Sequence, residues 1–103
     1  MALNTKTSLG NHQFAGPHLN ETTLPANSGV YIITRLVNGR HEIIDVGESG
    51  NIAQCIPNHD RMNQWESAAT AGFHVWTLLA NEFQRMVIEK AHRLAYNPIC
   101  GDR

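Results

Sequence analysis

Several things are scarce in this chain. It has two cysteines, Cys55 and Cys100, in neither a CxxC pair nor a Cys-His zinc pattern, so neither a disulfide framework nor a structural zinc is expected. A reduced, cytoplasmic setting fits that usage. A basic surplus is also missing: eight Lys plus Arg stand against nine Asp plus Glu, for a formal net charge of -1. That balance excludes a tight nucleic-acid binder held by charge alone and leaves room only for a weak or metal-aided contact. No apolar run approaches the roughly 20 residues a membrane span needs, and the opening "MALNTKTSLG" has neither the basic start nor the apolar middle of a secretory signal. A soluble chain with no membrane association is expected. Repeats and low-complexity tracts are absent too, and 103 residues at 42% hydrophobic content suffice for one modest core.

The pattern that is present begins late. Residues 1–27 are rich in Asn, Thr, Ser, Gly and Pro, with Phe14, Leu19 and Leu24 as anchors, and read as a partly ordered arm against the core. Residues 28–103 read as the domain proper. The run "VYIITRLV" (30–37) is β-branched and apolar, "HEIIDV" (41–46) follows, and Asn38-Gly39 between them is the preferred pair for a type I′ hairpin turn. Counting outward from Val37 opposite Arg40 brings Tyr31 close to Asp45 or Val46, with allowance for a bulge. After Gly47, Ser49 or Asn51 can cap a short helix that carries Ile52 and Ile56 on one face and is limited by Pro57. "GFHVWTLLA" (72–80) reads as a third strand. "NEFQRMVIEKAHRLAYNP" (81–98) reads as an amphipathic helix capped by Asn81, with Phe83, Met86, Val87, Ala91 and Leu94 as its buried stripe and Asn97-Pro98 as its end.

Chemistry concentrates in the second half of the hairpin and on that last helix. Glu89 falls beside the apolar stripe with Glu82, Arg85 and Arg93. Its plain reading is a pair of i,i+4 ion pairs with Arg85 and Arg93, each worth about 0.3–0.5 kcal/mol. The loop Gly47-Glu48-Ser49 reads either as a helix-capping turn or as a phosphate or metal loop, in which glycine permits close backbone approach. Cys55 reads as a small buried hydrophobe. Trp76 reads as core, while stacking on bases is open to Trp65. His12, His18, His41, His74 and His92 lack metal-ligand spacing. Ser49, His59 and Asp45 could suggest a hydrolase triad, but no nucleophile-elbow sequence accompanies them.

The order of these parts is informative. "GVY" opens one strand, "DVG" closes its partner, "ESGNI" leads into a short helix, "NHDR" follows, and a late helix carries Glu89 before "NP". Over residues 28–101 this order resembles the GIY-YIG nuclease superfamily, and within it small bacterial and phage proteins. The resemblance implies an α+β fold with a small three-stranded antiparallel sheet flanked by helices. It implies a metal-dependent endonuclease-like activity on DNA, engaged weakly or with an additional partner, and one Mg²⁺ or Mn²⁺ held by Glu89. Tyr31 would help activate water, His59 and Arg61 would contact phosphate or relay a proton, and Asn97 would be the terminal asparagine. Two positions depart from the family pattern. Asp45 stands where a tyrosine is usual and would offer a second carboxylate for metal or water. Cys55 stands where the first helix carries arginine. One such electrostatic donor is worth about 2.7–4 kcal/mol, so its loss implies a weakened nuclease. The alternative is a degenerate fold serving as a nucleic-acid or protein binding module.

Overall fold

The computed structural model describes residues 2–18 and 21–101, with Glu21 described for its backbone only. Leu19 lies outside the described residues. The elements are β1 (Ala2–Thr7), β2 (Gly10–His18), β3 (Gly29–Val37), β4 (Arg40–Ser49), α1 (Ile52–Cys55) with a 3-10 turn after it (Ile56–Asn58), α2 (Met62–Ala68), β5 (His74–Leu79) and α3 (Glu82–Tyr96). All strand pairs are antiparallel, in the order β1-β2-β5-β3-β4. The α+β class is as expected, but the sheet has five strands rather than three.

The two extra strands come from the segment read as an arm. Residues 2–18 form a hairpin that pairs through β2 with β5. Its composition hides this, because backbone hydrogen bonds do most of the joining and few apolar side chains are needed. Phe14 is fully buried, and the Thr5 hydroxyl lies 2.7 Å from Nε2 of the buried His92 on α3. Leu24, the other anchor within the described residues, is buried as well.

β3 lies inside the sheet between β5 and β4 and is covered on both faces. Tyr31 and Ile33 point into a core with Ile44, Ile52, Ile56 and Trp65 beneath α1 and α2. Val30 and Ile32 point the other way, into a core with Phe14, Val46, Trp76 and Ile88 beneath α3. Side chains alternate across a strand, so a strand buried on both sides must be apolar throughout. Trp76 satisfies its indole N–H on the Thr34 hydroxyl at 2.9 Å. Both tryptophans are fully buried, so base stacking is closed to Trp65 as well as to Trp76.

The β3–β4 turn takes the expected form, with positive φ at Asn38 and Gly39 and Val37 opposite Arg40. The pairing then shifts: Thr34 faces Ile43 while Ile33 faces Asp45, leaving Ile44 as the extra residue of a bulge. Tyr31 therefore lies opposite Gly47, one position beyond the expected partners. A single inserted residue changes which face every later side chain occupies. Here it puts Asp45 on the same face as Tyr31.

The last helix differs most from expectation. Asn81 caps it in a capping box with Gln84. Its apolar stripe, however, faces outward: Phe83, Met86, Val87 and Leu94 are exposed, and Ala91 alone of the expected set is buried. The covered side carries Arg85, Ile88, Glu89, His92 and Arg93. Burial on this side is set by hydrogen bonds. His92 donates from Nδ1 to the Ile88 carbonyl, and the two arginines bridge to the sheet. Among the described residues, no helix is long and apolar enough to cross a membrane.

Candidate functional site

The bulge delivers Asp45 to the centre of an ionic cluster. Its side chain is fully buried, and both oxygens are saturated. Oδ1 accepts from Arg93 Nη2 at 2.5 Å and from the Val46 amide at 2.8 Å. Oδ2 accepts from Arg61 Nε and from the Trp65 indole, each at 2.7 Å. The expectation that Asp45 offers a second carboxylate to metal or water is therefore corrected. A buried carboxylate is tolerated only when paired and fully hydrogen-bonded, and these four donors leave it no free lone-pair direction toward solvent. Its role is to fix two guanidinium groups. Arg93 is held further by the carbonyls of Val46 and Cys100 and by Glu89 at 3.4 Å. Arg61 commits only Nε and leaves its two Nη groups without a protein partner among the described residues.

Tyr31 stands beside this cluster. Its hydroxyl lies 2.5 Å from His59 Nε2, and the backbone amide of Arg61 donates to His59 Nδ1 at 3.0 Å. Nδ1 acting as acceptor places the neutral ring's proton on Nε2, shared with Tyr31. Burial, assisted by Arg61, lowers the His59 pKa, so the ring is neutral at pH 7. The carboxylate of Asp60, 3.2 Å from Nδ1, pulls the other way but is 89% exposed and screened by water. Burial and then the neighbouring Cys55 thiol push the Tyr31 pKa upward, against the pull of Arg61. Cys55 is thus a half-buried neighbour of the phenol, not simply a core filler.

Gly47 is explained by Tyr31. A Cβ there would lie 2.1 Å from the phenol oxygen and 2.2 Å from Cζ, so the close approach this glycine permits is that of the tyrosine across the β4 backbone. Gly29 plays the same part against β5, where a Cβ would lie 2.3 Å from the Leu78 carbonyl oxygen. The Ser49 hydroxyl accepts the Asn51 amide at 3.0 Å, and Asn51 in turn caps α1 through the Gln54 amide. Of the two candidate caps, Asn51 is the one used, and Ser49 holds its backbone in place. Glu48 accepts from Arg85 Nε at 2.6 Å, and Arg85 also reaches the Ser28 hydroxyl. Arg85 therefore bridges to the hairpin rather than to Glu89, which pairs among the described residues with Arg93.

Glu89 is the least committed carboxylate of the cluster. It is half-buried, and its only hydrogen bond among the described residues is to Arg93. Burial raises its pKa, Arg93 lowers it, and Glu48 raises it again. Among the described residues, no group of three or more His, Cys, Asp or Glu is placed to hold a metal ion. Asn97 lies apart: it ends α3 in the left-handed conformation with φ of 43°, is exposed, and donates its amide to the Arg93 carbonyl. Its observed work is to terminate the helix.

The structure thus gathers Tyr31, Asp45, Gly47, His59, Arg61 and Glu89 around one cluster and adds Trp65, Arg85 and Arg93. The sequence signal for the arginines was the i,i+4 run on α3. Nothing in it marked the Trp65 indole as the donor to Asp45. Compared with known proteins, the chain matches no family model, no curated protein and no solved structure.

Proposed function

We propose that this cluster is a metal-dependent phosphodiester-hydrolysing site acting on DNA. The observation that carries the reading is the placement of Tyr31, hydrogen-bonded to His59, beside an Arg61 whose two Nη groups have no partner among the described residues, with half-buried Glu89 on the same cluster. An open guanidinium fork fits the non-bridging oxygens of a phosphate. Tyr31 takes part as a neutral phenol, because burial opposes its ionisation. The phenol is buried, so it acts by holding the His59 imidazole beside Arg61 rather than by meeting the water itself. Glu89 would hold one Mg²⁺ or Mn²⁺, and such an ion lowers the pKa of bound water and offsets phosphate charge.

A second reading, phosphate or partner binding without cleavage, is favoured by one feature. The guanidiniums of Arg61, Arg85 and Arg93 are matched by the carboxylates of Asp45, Glu48 and Glu89, and Cys55 adds no positive charge. Nicking of supercoiled plasmid by the wild type and by Glu89→Ala, with Mn²⁺ or Mg²⁺ against chelator, separates the two. Cleavage that needs both the ion and Glu89 supports hydrolysis. Equal cleavage by the variant refutes the assignment of Glu89, and DNA binding without cleavage by either protein supports the second reading.

A further inference from the structure

The hairpin of residues 2–18 is seated on a histidine. His92 of α3 is fully buried, and its ring meets His12 of β2 at 5.2 Å between centres and Phe14 edge-on at 5.3 Å. Its Nδ1 lies 2.8 Å from the Ile88 carbonyl, which can only accept. The neutral ring therefore carries its proton on Nδ1, and Nε2 accepts from the Thr5 hydroxyl of β1 at 2.7 Å. One turn further along α3, the Tyr96 hydroxyl accepts the Lys6 amide at 2.9 Å. Among the described residues, the hairpin's hydrogen bonds to α3 thus run through His92 and Tyr96. Its pairing with the sheet is sparse. β2 meets β5 at Ala15 with Thr77 and at His18 with Val75, with an irregularity between, whereas β3 pairs with β5 without a break from Gly29 opposite Leu79 to Thr34 opposite His74. The core beneath α1 and α2 takes no side chain from residues 2–18 among the described residues.

A second proton on His92 is poorly accommodated. Thr5 has a single hydroxyl hydrogen. Once Nε2 carries a proton and donates, that hydrogen must turn to the His12 carbonyl at 3.5 Å, the outer limit of a hydrogen bond. The charge would also sit in a fully buried site. Burial lowers the His92 pKa, the Ile88 carbonyl pulls it back in part, and His12 lowers it further. His12 is no better placed to take the proton: its Nδ1 is buried with no partner among the described residues, so protonation there buries an N–H without an acceptor. The hairpin offers no counter-charge, since residues 2–18 contain neither Asp nor Glu. Around the seam, Lys6 of β1 and Lys90 and Arg93 of α3 are basic, and Glu89 is paired with Arg93. On β4, His41 and Glu42 line the cleft that Tyr96 shares with Leu3. There Glu42 is paired with Arg35, and His41 stands against His74 of β5.

We propose that the seam between His92 and His12 is an acid-sensitive latch: when His92 takes up a proton, residues 2–18 leave α3 and β5 while the rest of the sheet stays folded. Opening lets water reach the ring, so the released state carries the charge that the docked state rejects. Docking is therefore at full strength above the ordinary histidine pKa of about 6.5 and weakens as pH falls below it. Amide hydrogen exchange at pH 7.5 and 5.5, corrected for the intrinsic exchange rate, tests this. The opening constant of residues 2–18 is expected to exceed that of residues 30–37 at both pH values. It is expected to rise on acidification by as much as about tenfold, the most one imidazole contributes over that span. His92→Gln cannot titrate but still donates and accepts, and its hairpin opening constant is expected to agree within about twofold at the two pH values. The His92 Hε1 signal in the wild type gives a readout that needs no variant: it should titrate with the same midpoint as the amide signals of residues 2–18. A hairpin that opens only together with residues 30–37 overturns the proposal, as does a wild-type rise below about twofold or a rise that His92→Gln retains in full. So does a His92 ring that titrates while the hairpin signals stay in place.

Discussion

Replacing Asp45 by Asn tests the central claim about the cluster. The two side chains have nearly the same shape, so the substitution removes charge and acceptors without opening a cavity. Asp45 Oδ1 receives Arg93 Nη2 and the Val46 amide, while Oδ2 receives Arg61 Nε and the Trp65 indole. Whichever way the asparagine amide is turned, its NH₂ faces two donors, and both guanidiniums lose their buried counter-charge. Removing one partner of a buried, hydrogen-bonded ion pair costs about 3–5 kcal/mol, a large share of the roughly 5–15 kcal/mol that holds a domain together. At about 4–8 °C per kcal/mol the melting temperature should fall by more than ~12 °C. Urea unfolding followed by far-UV circular dichroism measures the loss. Glu42→Gln is the control: it pairs with Arg35 near the surface, with the Arg35 side chain 31% and the Glu42 side chain 48% exposed, and such pairs are worth about 0–1 kcal/mol. A loss below about 1 kcal/mol for Asp45→Asn would refute the view that this carboxylate anchors the cluster.

Gly47→Ala should displace the Tyr31 phenol from His59, since the added Cβ would fall 2.1 Å from its oxygen. The expected cost is about 1–3 kcal/mol for overpacking, together with loss of any nicking activity, and an unchanged urea midpoint would contradict the packing argument. Cys55→Arg adjacent to Tyr31 should raise metal-dependent cleavage about a hundredfold or more if the remaining site is competent; no change in a plasmid assay would show that a missing arginine is not the limitation. Stability should fall with acidification. Burial lowers the pKa of His59 and of His92, so below the unfolded value of about 6.5 the unfolded chain binds more protons, and the stabilisation present above that pH is lost on going below it. The raised pKa of Glu89 acts in the opposite sense as pH rises above the ordinary carboxylate value. Urea midpoints at pH 7.5 and 5.5 check the balance, which the two histidines should dominate in this range. A midpoint at pH 5.5 equal to or above that at pH 7.5 would count against it.

The sequence alone was sufficient where structure is local. Asn38-Gly39 needs positive φ at both residues, and that backbone requirement fixes the hairpin without help from distant parts. Asn81 and Gln84 form their capping box from neighbouring atoms for the same reason. The apolar, β-branched run at 30–37 identified β3, because a strand covered on both faces must be apolar along its length. Tertiary structure decided the rest. The bulge at Ile44 sets the face of Asp45, and nothing near Ile44 announces it, since a bulge is fixed by what each face must pack against. The hairpin of residues 2–18 joins the sheet by backbone pairing, which leaves little trace in side-chain pattern. The orientation of α3 was decided by hydrogen bonds and ion pairs reaching the hairpin and Asp45. Those contacts bury its polar side and leave Phe83, Met86, Val87 and Leu94 facing out, where periodicity alone, blind to what the rest of the chain presents, would have turned them in.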